Sequence, residues 1–330
     1  MLQEKVEKTI EKYKLIESGD KVVICVSGGP DSMCLLDLLR KIKGEKKIPF
    51  SFCVAHMNHG LRQEAEEETN YVEAYCKKYN IPCYVKKVKI DQIAQKEKRG
   101  IEETGRKLRY AFFEEVAEKV GANKIAVAHN QNDKAETILM NLLRGAGPLG
   151  LKGIEIKREG KYIRPLLEIE RVEIEQYCKE NELHPKIDKS NFDNHYTRNR
   201  IRNELLPYLE KEFNPNIKKS LNRLAEIIEE EQNYFEKVVY TIYNQIKIQE
   251  TEKEIILDLK EFNKQEVVIK RKLIRYTITK LFGSAQNIEK IHIEDMMKLC
   301  ERNIGNKYLL PNKNIKIMVQ KGKIFFQSLV

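Results

Sequence analysis

The sequence predicts an α/β protein: a doubly wound parallel sheet followed by a mostly helical region that ends in a small β element. Three observations carry this. Short β-type apolar runs alternate with amphipathic helical patterns through the first half. A glycine-rich turn, CVSGGPDSMCLL at 25–36, joins the first run to the first helical pattern. From about residue 203 the pattern changes to long helices. A chain of 330 residues exceeds one ordinary core. Two domains are expected, 1–210 and 211–330, with Pro207 and Pro215 marking the change.

In chain order, strands are expected at 21–27, 50–56, 83–90 and 124–129, with amphipathic helices at 31–43, 63–79, 102–120 and 133–144. The flexible stretch GAGPLGLKG (145–153) leads to a fifth strand at 162–167. Residues 184–202 are polar and end in the basic run Arg198-Asn199-Arg200-Ile201-Arg202. Helical patterns follow at 217–249, 264–282 and 288–302, and a β element closes the chain at 308–327. Ligands of such sheets bind beyond the carboxyl ends of the strands. CVSGGPDS, HMNHGLR (56–62) and AHNQNDKAET (128–137) all begin there, so three distant stretches converge on one crevice.

The first stretch carries the sharpest chemistry. In Ser27-Gly28-Gly29-Pro30-Asp31-Ser32 the glycines permit positive φ and let a phosphate approach backbone N–H groups. The helix starting near Asp31 adds donors and a favourable dipole, and Ser27 and Ser32 add hydroxyls. The lysine of a GxxxxGK[ST] loop is missing, and a carboxylate stands where an anion should bind. Repulsion between Asp31 and phosphate is relieved most simply by a bridging cation, so Asp31 predicts Mg²⁺.

Composition narrows the setting. Sixty Lys and Arg against fifty Asp and Glu give a net charge of +10, which leans toward a polyanionic partner such as nucleic acid. Seven cysteines without a CxxC pair argue against a disulfide framework or a cysteine zinc site and for a reducing, cytoplasmic setting. Cys25, Cys34 and Cys53 lie in apolar runs and read as core thiols. No apolar run approaches the ~20 residues of a membrane span, so no membrane partner is expected.

SGGPDS resembles the signature of the PP-loop ATP pyrophosphatases, which cleave ATP between the α- and β-phosphates and use the AMP half to activate a carbonyl oxygen. HMNHGLR, ETGRKLRY (103–110), AHNQNDKAETILMNLLRGAG (128–147), RPLL (164–167) and DKSNFDNHYTRNRIRNELLP (188–207) resemble, in order and spacing, the tRNA(Ile)-lysidine synthases of that superfamily. The likeness covers the first domain specifically and the helical remainder weakly. It implies that ATP adenylates the C2 oxygen of the wobble cytidine of tRNA(Ile) with a CAU anticodon. The ε-amine of free L-lysine then displaces AMP to give lysidine. A homodimer is left open.

The resemblance also assigns residues. Asp133 and Glu136, three apart at a helix start, share a face and are implied to hold the lysine ammonium; the same spacing also suits a D-x-x-E cap. His129 is implied to act near the cytidine or the amine, although a lone histidine at a strand end is more often structural. Arg109 is implied to stabilise charge at the reacting phosphate, where spacing alone indicates a solvated helix face. His59, Arg62, Arg144, Arg198 and Arg202 are candidates for contacts to tRNA or to phosphate. The family's D-D-Q string reads Asn132-Asp133-Lys134 here, which removes one acid, and many members continue into a further small domain. Two other readings stand beside this one. A PP-loop tRNA thiolase would usually present paired cysteines, which are missing. A non-catalytic basic RNA-binding protein would lose Asp31, Asp133 or Glu136, which are all present.

Overall fold

The computed structural model describes residues 1–45, 48–60, 64–186, 194, 196–285, 288–302 and 308–329. They divide into two compact units, Met1–Ile228 and Glu229–Val330. No described helix is long and apolar enough to cross a membrane.

The first unit begins with α1 (Leu2–Tyr13), β1 (Lys21–Cys25), α2 (Pro30–Gly44), β2 (Ser51–Asn58), α3 (Glu64–Lys78) and β3 (Cys83–Lys87). It continues through α4 (Ile90–Glu97), α5 (Ile101–Val120), β4 (Lys124–Val127), α6 (Gln131–Leu143), α7 (Pro148–Leu151), β5 (Lys157–Arg158), β6 (Tyr162–Ile163) and α8 (Arg171–Glu180). After α9 (Thr197–Arg200), one π-helical turn (Ile201–Leu205) runs into α10 (Leu206–Glu212).

The sheet order is β3-β2-β1-β4-β6-β5, parallel except for the β5–β6 hairpin. Both faces are covered, which is why Val22–Cys25 reads as a continuous apolar run. Val22 and Ile24 join the core with residues of α1, α2, α3 and α8, while Val23 and Cys25 point to the other face and pack with Phe112, Phe113 and Val116 of α5. The expected fifth strand stops at Ile163 because Pro165 can donate no ladder hydrogen bond, and Leu167 N–H turns back to the Arg164 carbonyl at 3.1 Å.

The long helix α11 (Ile217–Ile246) contains the division between the units. Its first turns send Leu221 and Ala225 into a core with Ala135, Ile138 and Leu139 of α6. Residues 211–228, placed in the second domain by the sequence reading, therefore pack in the first unit.

The second unit holds a five-stranded antiparallel sheet, ordered β7 (Lys247–Glu250), β8 (Glu254–Asp258), β11 (Lys323–Ser328), β10 (Ile315–Gln320) and β9 (Tyr308–Asn312). Three helices, α12 (Leu259–Asn263), α13 (Val267–Phe282) and α14 (Lys290–Arg302), share its core.

Candidate active site

The parallel order places β1 beside β4, so the turns leaving their carboxyl ends open on one crevice at the switch point of the sheet. The turn after β1 is a closed hydrogen-bonded loop. Ser32 Oγ donates to the Gly29 carbonyl (3.0 Å) and accepts from Ser27 N–H (3.1 Å), and the two serine hydroxyls lie 3.1 Å apart. Gly28 has φ +89°, and a Cβ there would meet Glu68 Cβ at 3.3 Å, so glycine is required both by the conformation and by the approach. Pro30 opens α2 in its first turn, where a missing N–H costs nothing.

Asp31, the next residue, is fully engaged. Its Oδ1 accepts from Asn130 Nδ2 at 3.0 Å, and its Oδ2 pairs with Arg171 Nη1 at 2.6 Å. Burial pushes the carboxyl up to about 6 despite the opposing pull of Arg171. Arg171 is itself fixed by Glu175 at 2.7 Å.

Asn130 caps α6: its Oδ1 accepts from Asp133 N–H, and its own N–H donates to Asp133 Oδ2, both at 3.0 Å. The cap is thus Asn130 with Asp133, one turn earlier than a cap formed by Asp133 with Glu136. The free Oδ1 of Asp133 and both oxygens of Glu136 meet the basic run. Arg198 reaches Asp133 (2.9 Å) and Glu136 (2.9 Å), and Arg202 reaches Asp133 (3.1 Å) and Glu136 (2.6 Å). Arg198 and Arg202 are four residues apart and share a helix face, whereas Arg200 turns outward toward Glu204. Burial raises the Asp133 carboxyl, but Arg198, the Asn130 backbone N–H and Arg202 outweigh it and hold it below the usual range.

His129 follows β4 and accepts at Nδ1 from Arg164 Nε (3.1 Å). Burial lowers its pKa to about 4. Arg109 Nη2 lies 3.5 Å from His59 Nε2, so those two candidates meet each other. Arg144 is exposed at the end of α6; its backbone N–H donates to the Met140 carbonyl at 3.2 Å, and its side chain makes no hydrogen bond or ion pair among the described residues. Arg62 lies outside the described residues, as does most of the DKSNFDNH string. Asn132, at the departure from D-D-Q, accepts from the Arg171 backbone N–H at 3.2 Å, and Lys134 is buried.

A family profile described as a PP-loop domain matches residues 1–209. A tRNA(Ile)-lysidine synthase of Clostridioides difficile is 39% identical over 99% of this chain and 71% of its own length. The chain belongs to the tRNA(Ile)-lysidine synthase family of PP-loop proteins. The Clostridium acetobutylicum member is 44% identical over 92% of this chain, and the chain covers 65% of that member's length. Among solved structures, the U34-tRNA thiolase NcsA of Methanococcus maripaludis, with its [4Fe-4S] cluster, aligns with TM-score 0.55 at 23% identity, covering 69% of this chain and 78% of that one. That likeness concerns the fold.

Three residues that contact the candidates were given no role in the sequence reading: Asn130, Arg164 and Arg171. Asn130 was recoverable, since N-x-x-D is a capping signature ahead of an apolar run. Arg171 was hidden because α8 starts on a Glu170/Glu173 box, and glutamate is an unusual cap. Arg164 stood at the head of the RPLL string without a role of its own; strand pairing brings it to His129.

Proposed function

We propose that this chain uses ATP to activate the C2 oxygen of the wobble cytidine of tRNA(Ile) and joins free L-lysine at C2, giving lysidine, AMP and pyrophosphate. The observation that supports it most is the Asn130 bridge. One side chain binds the acid of the ATP loop and caps the helix that carries Asp133 and Glu136. A bridge of that kind fixes an ATP site and an amine site at one separation, as a two-step transfer requires.

In this reading the cytidine oxygen attacks the α-phosphorus and pyrophosphate leaves; the lysine amine then attacks C2 and AMP departs with the oxygen. The loop amides after β1 hold phosphate, and the Arg109 guanidinium, which reaches His59 Nε2 at 3.5 Å, offers positive charge to it. Mg²⁺ would be held by the Asp31 carboxylate in exchange for its pair with Arg171, together with substrate phosphates and water, a set of oxygen donors that suits the ion. When bound it would neutralise phosphate charge. All seven cysteines are free thiols; Cys34 lies against Cys178 and Cys76 against Cys83, but six of the seven are buried and pack with apolar core residues, which gives the thiolase reading no support.

Incubation with unmodified tRNA(Ile), Mg-ATP and labelled lysine is expected to yield labelled tRNA and AMP. Incorporation of labelled sulfur, with none of lysine, would sink the proposal. Asp31→Ala is expected to abolish AMP formation, whereas Glu136→Ala should chiefly raise the lysine concentration needed.

A further inference from the structure

His129 and Arg164 leave neighbouring parallel strands at the same end of the sheet, with Ala126 registered against Ile163. The Arg164 guanidinium is buried and held at two points: Nη1 donates to the Glu155 carbonyl at 2.5 Å, and Nε donates to His129 Nδ1 at 3.1 Å. Its backbone N–H donates to the Ile156 carbonyl at 3.0 Å, so the residue is anchored from both ends. An arginine can only donate. Nδ1 is therefore the lone-pair nitrogen, and a neutral ring must carry its proton on Nε2. Among the described residues Nε2 has no hydrogen-bond partner, and the half-buried ring lies at the carboxyl end of β4.

We propose that Arg164 is a positioning residue that locks His129 in the neutral Nε2–H form, making His129 a hydrogen-bond donor to an oxygen of the substrate and not the base that deprotonates the lysine amine. The donor role rests on the ligase reading above; the locked tautomer does not. With its lone pair committed to Arg164, the ring can accept a proton at Nε2 only after losing the one already there. Of the charges facing it, three arginines stand against one carboxylate. Burial disfavours the imidazolium, Asp133 on α6 favours it, and Arg164 after β6, Arg198 on α9 and Arg106 on α5 oppose it.

Side-chain ¹⁵N spectra of histidine-labelled protein, with the His129 signals assigned by their loss in His129→Asn, test the tautomer directly. The expected spectrum is the Nε2–H form, unchanged between about pH 5.5 and 8. An Nδ1–H form, or a charged ring at pH 7, overturns the proposal. Arg164→Met is expected to give mixed tautomers and titration at higher pH; a spectrum identical to wild type would refute the lock. The wild-type spectrum decides the tautomer whether or not that variant folds. In AMP formation with tRNA(Ile), His129→Asn, whose amide can still donate, is expected to keep at least roughly tenfold more activity than His129→Ala. Equal losses overturn the donor role. A correct tautomer in a protein that attaches no lysine would overturn the ligase reading and leave the lock standing.

Discussion

Asp133 and Glu136 have their charge matched by Arg198 and Arg202, through contacts of 2.6 to 3.1 Å. Two carboxylates this buried need such partners, because an unpaired charge in that position is costly. A lysine ammonium must therefore compete with two guanidiniums, whereas ATP and RNA phosphates offer those guanidiniums another partner. Labelled lysine alone is expected to bind weakly in equilibrium dialysis. Arg202→Gln should tighten it by roughly tenfold, about the 1.4 kcal/mol of one displaced contact. Weaker binding by the variant would mean that the arginine assists the amine. The acids themselves were legible from their spacing, but their partners, more than sixty residues away in sequence, were not. The sequence offered Arg198 and Arg202 as phosphate contacts, and only folding shows them on the acids.

At the level of elements, one carboxylate ties together the helices that carry the site. Asp37 of α2 accepts from Tyr75 Oη of α3 (2.6 Å) and Tyr177 Oη of α8 (2.7 Å), and it pairs with Arg40 (2.6 Å) and Lys41 (3.1 Å). α2 begins at the phosphate loop and α8 begins at Arg171, so Asp37 sets the far ends of both arms that meet at Asp31. Burial raises the Asp37 carboxyl, but its four donors prevail and bring it to about 2. A carboxyl depressed on folding stabilises above its unfolded pKa of about 3.9, and that contribution disappears as pH falls toward 2. Asp37→Ala is expected to cost about 3 kcal/mol in urea unfolding at pH 7, with the gap to wild type narrowing below about pH 4. A gap that stays constant to pH 2.5 would contradict this account. Helices such as α2, α5 and α6 were legible because each shows an apolar face of period 3.6. Helix α8 was not, although its Ile174, Tyr177 and Cys178 complete the same core.

Across the whole molecule, the two units have separate cores. Tyr243, Phe262 and Phe326 anchor one, and Leu35, Leu36 and Ile24 belong to the other. Separate cores break the two-state assumption. Calorimetry is expected to resolve two transitions, of which Mg-ATP raises only that of residues 1–228. The shift should correspond to roughly 2.7 kcal/mol at a hundredfold excess over Kd. One transition moving as a whole would contradict this independence. The division inside α11 could not be read from the sequence, because a helical pattern runs unbroken through it while Leu221 and Ala225 change the core to which its first turns belong.

The sequence by itself determined the alternation of strand and helix, the phosphate loop with its unusual acid, and the acid pair on α6, because each is written in residues close enough to define a period, a turn or a shared helix face. Tertiary structure decided which charges meet. Arg171 on Asp31, Arg198 and Arg202 on the acid pair, and Arg164 on His129 are joined by sheet order and helix packing between distant segments. Local pattern carries no record of such pairings, since an arginine on a polar helix face looks the same whether it meets water or a buried carboxylate.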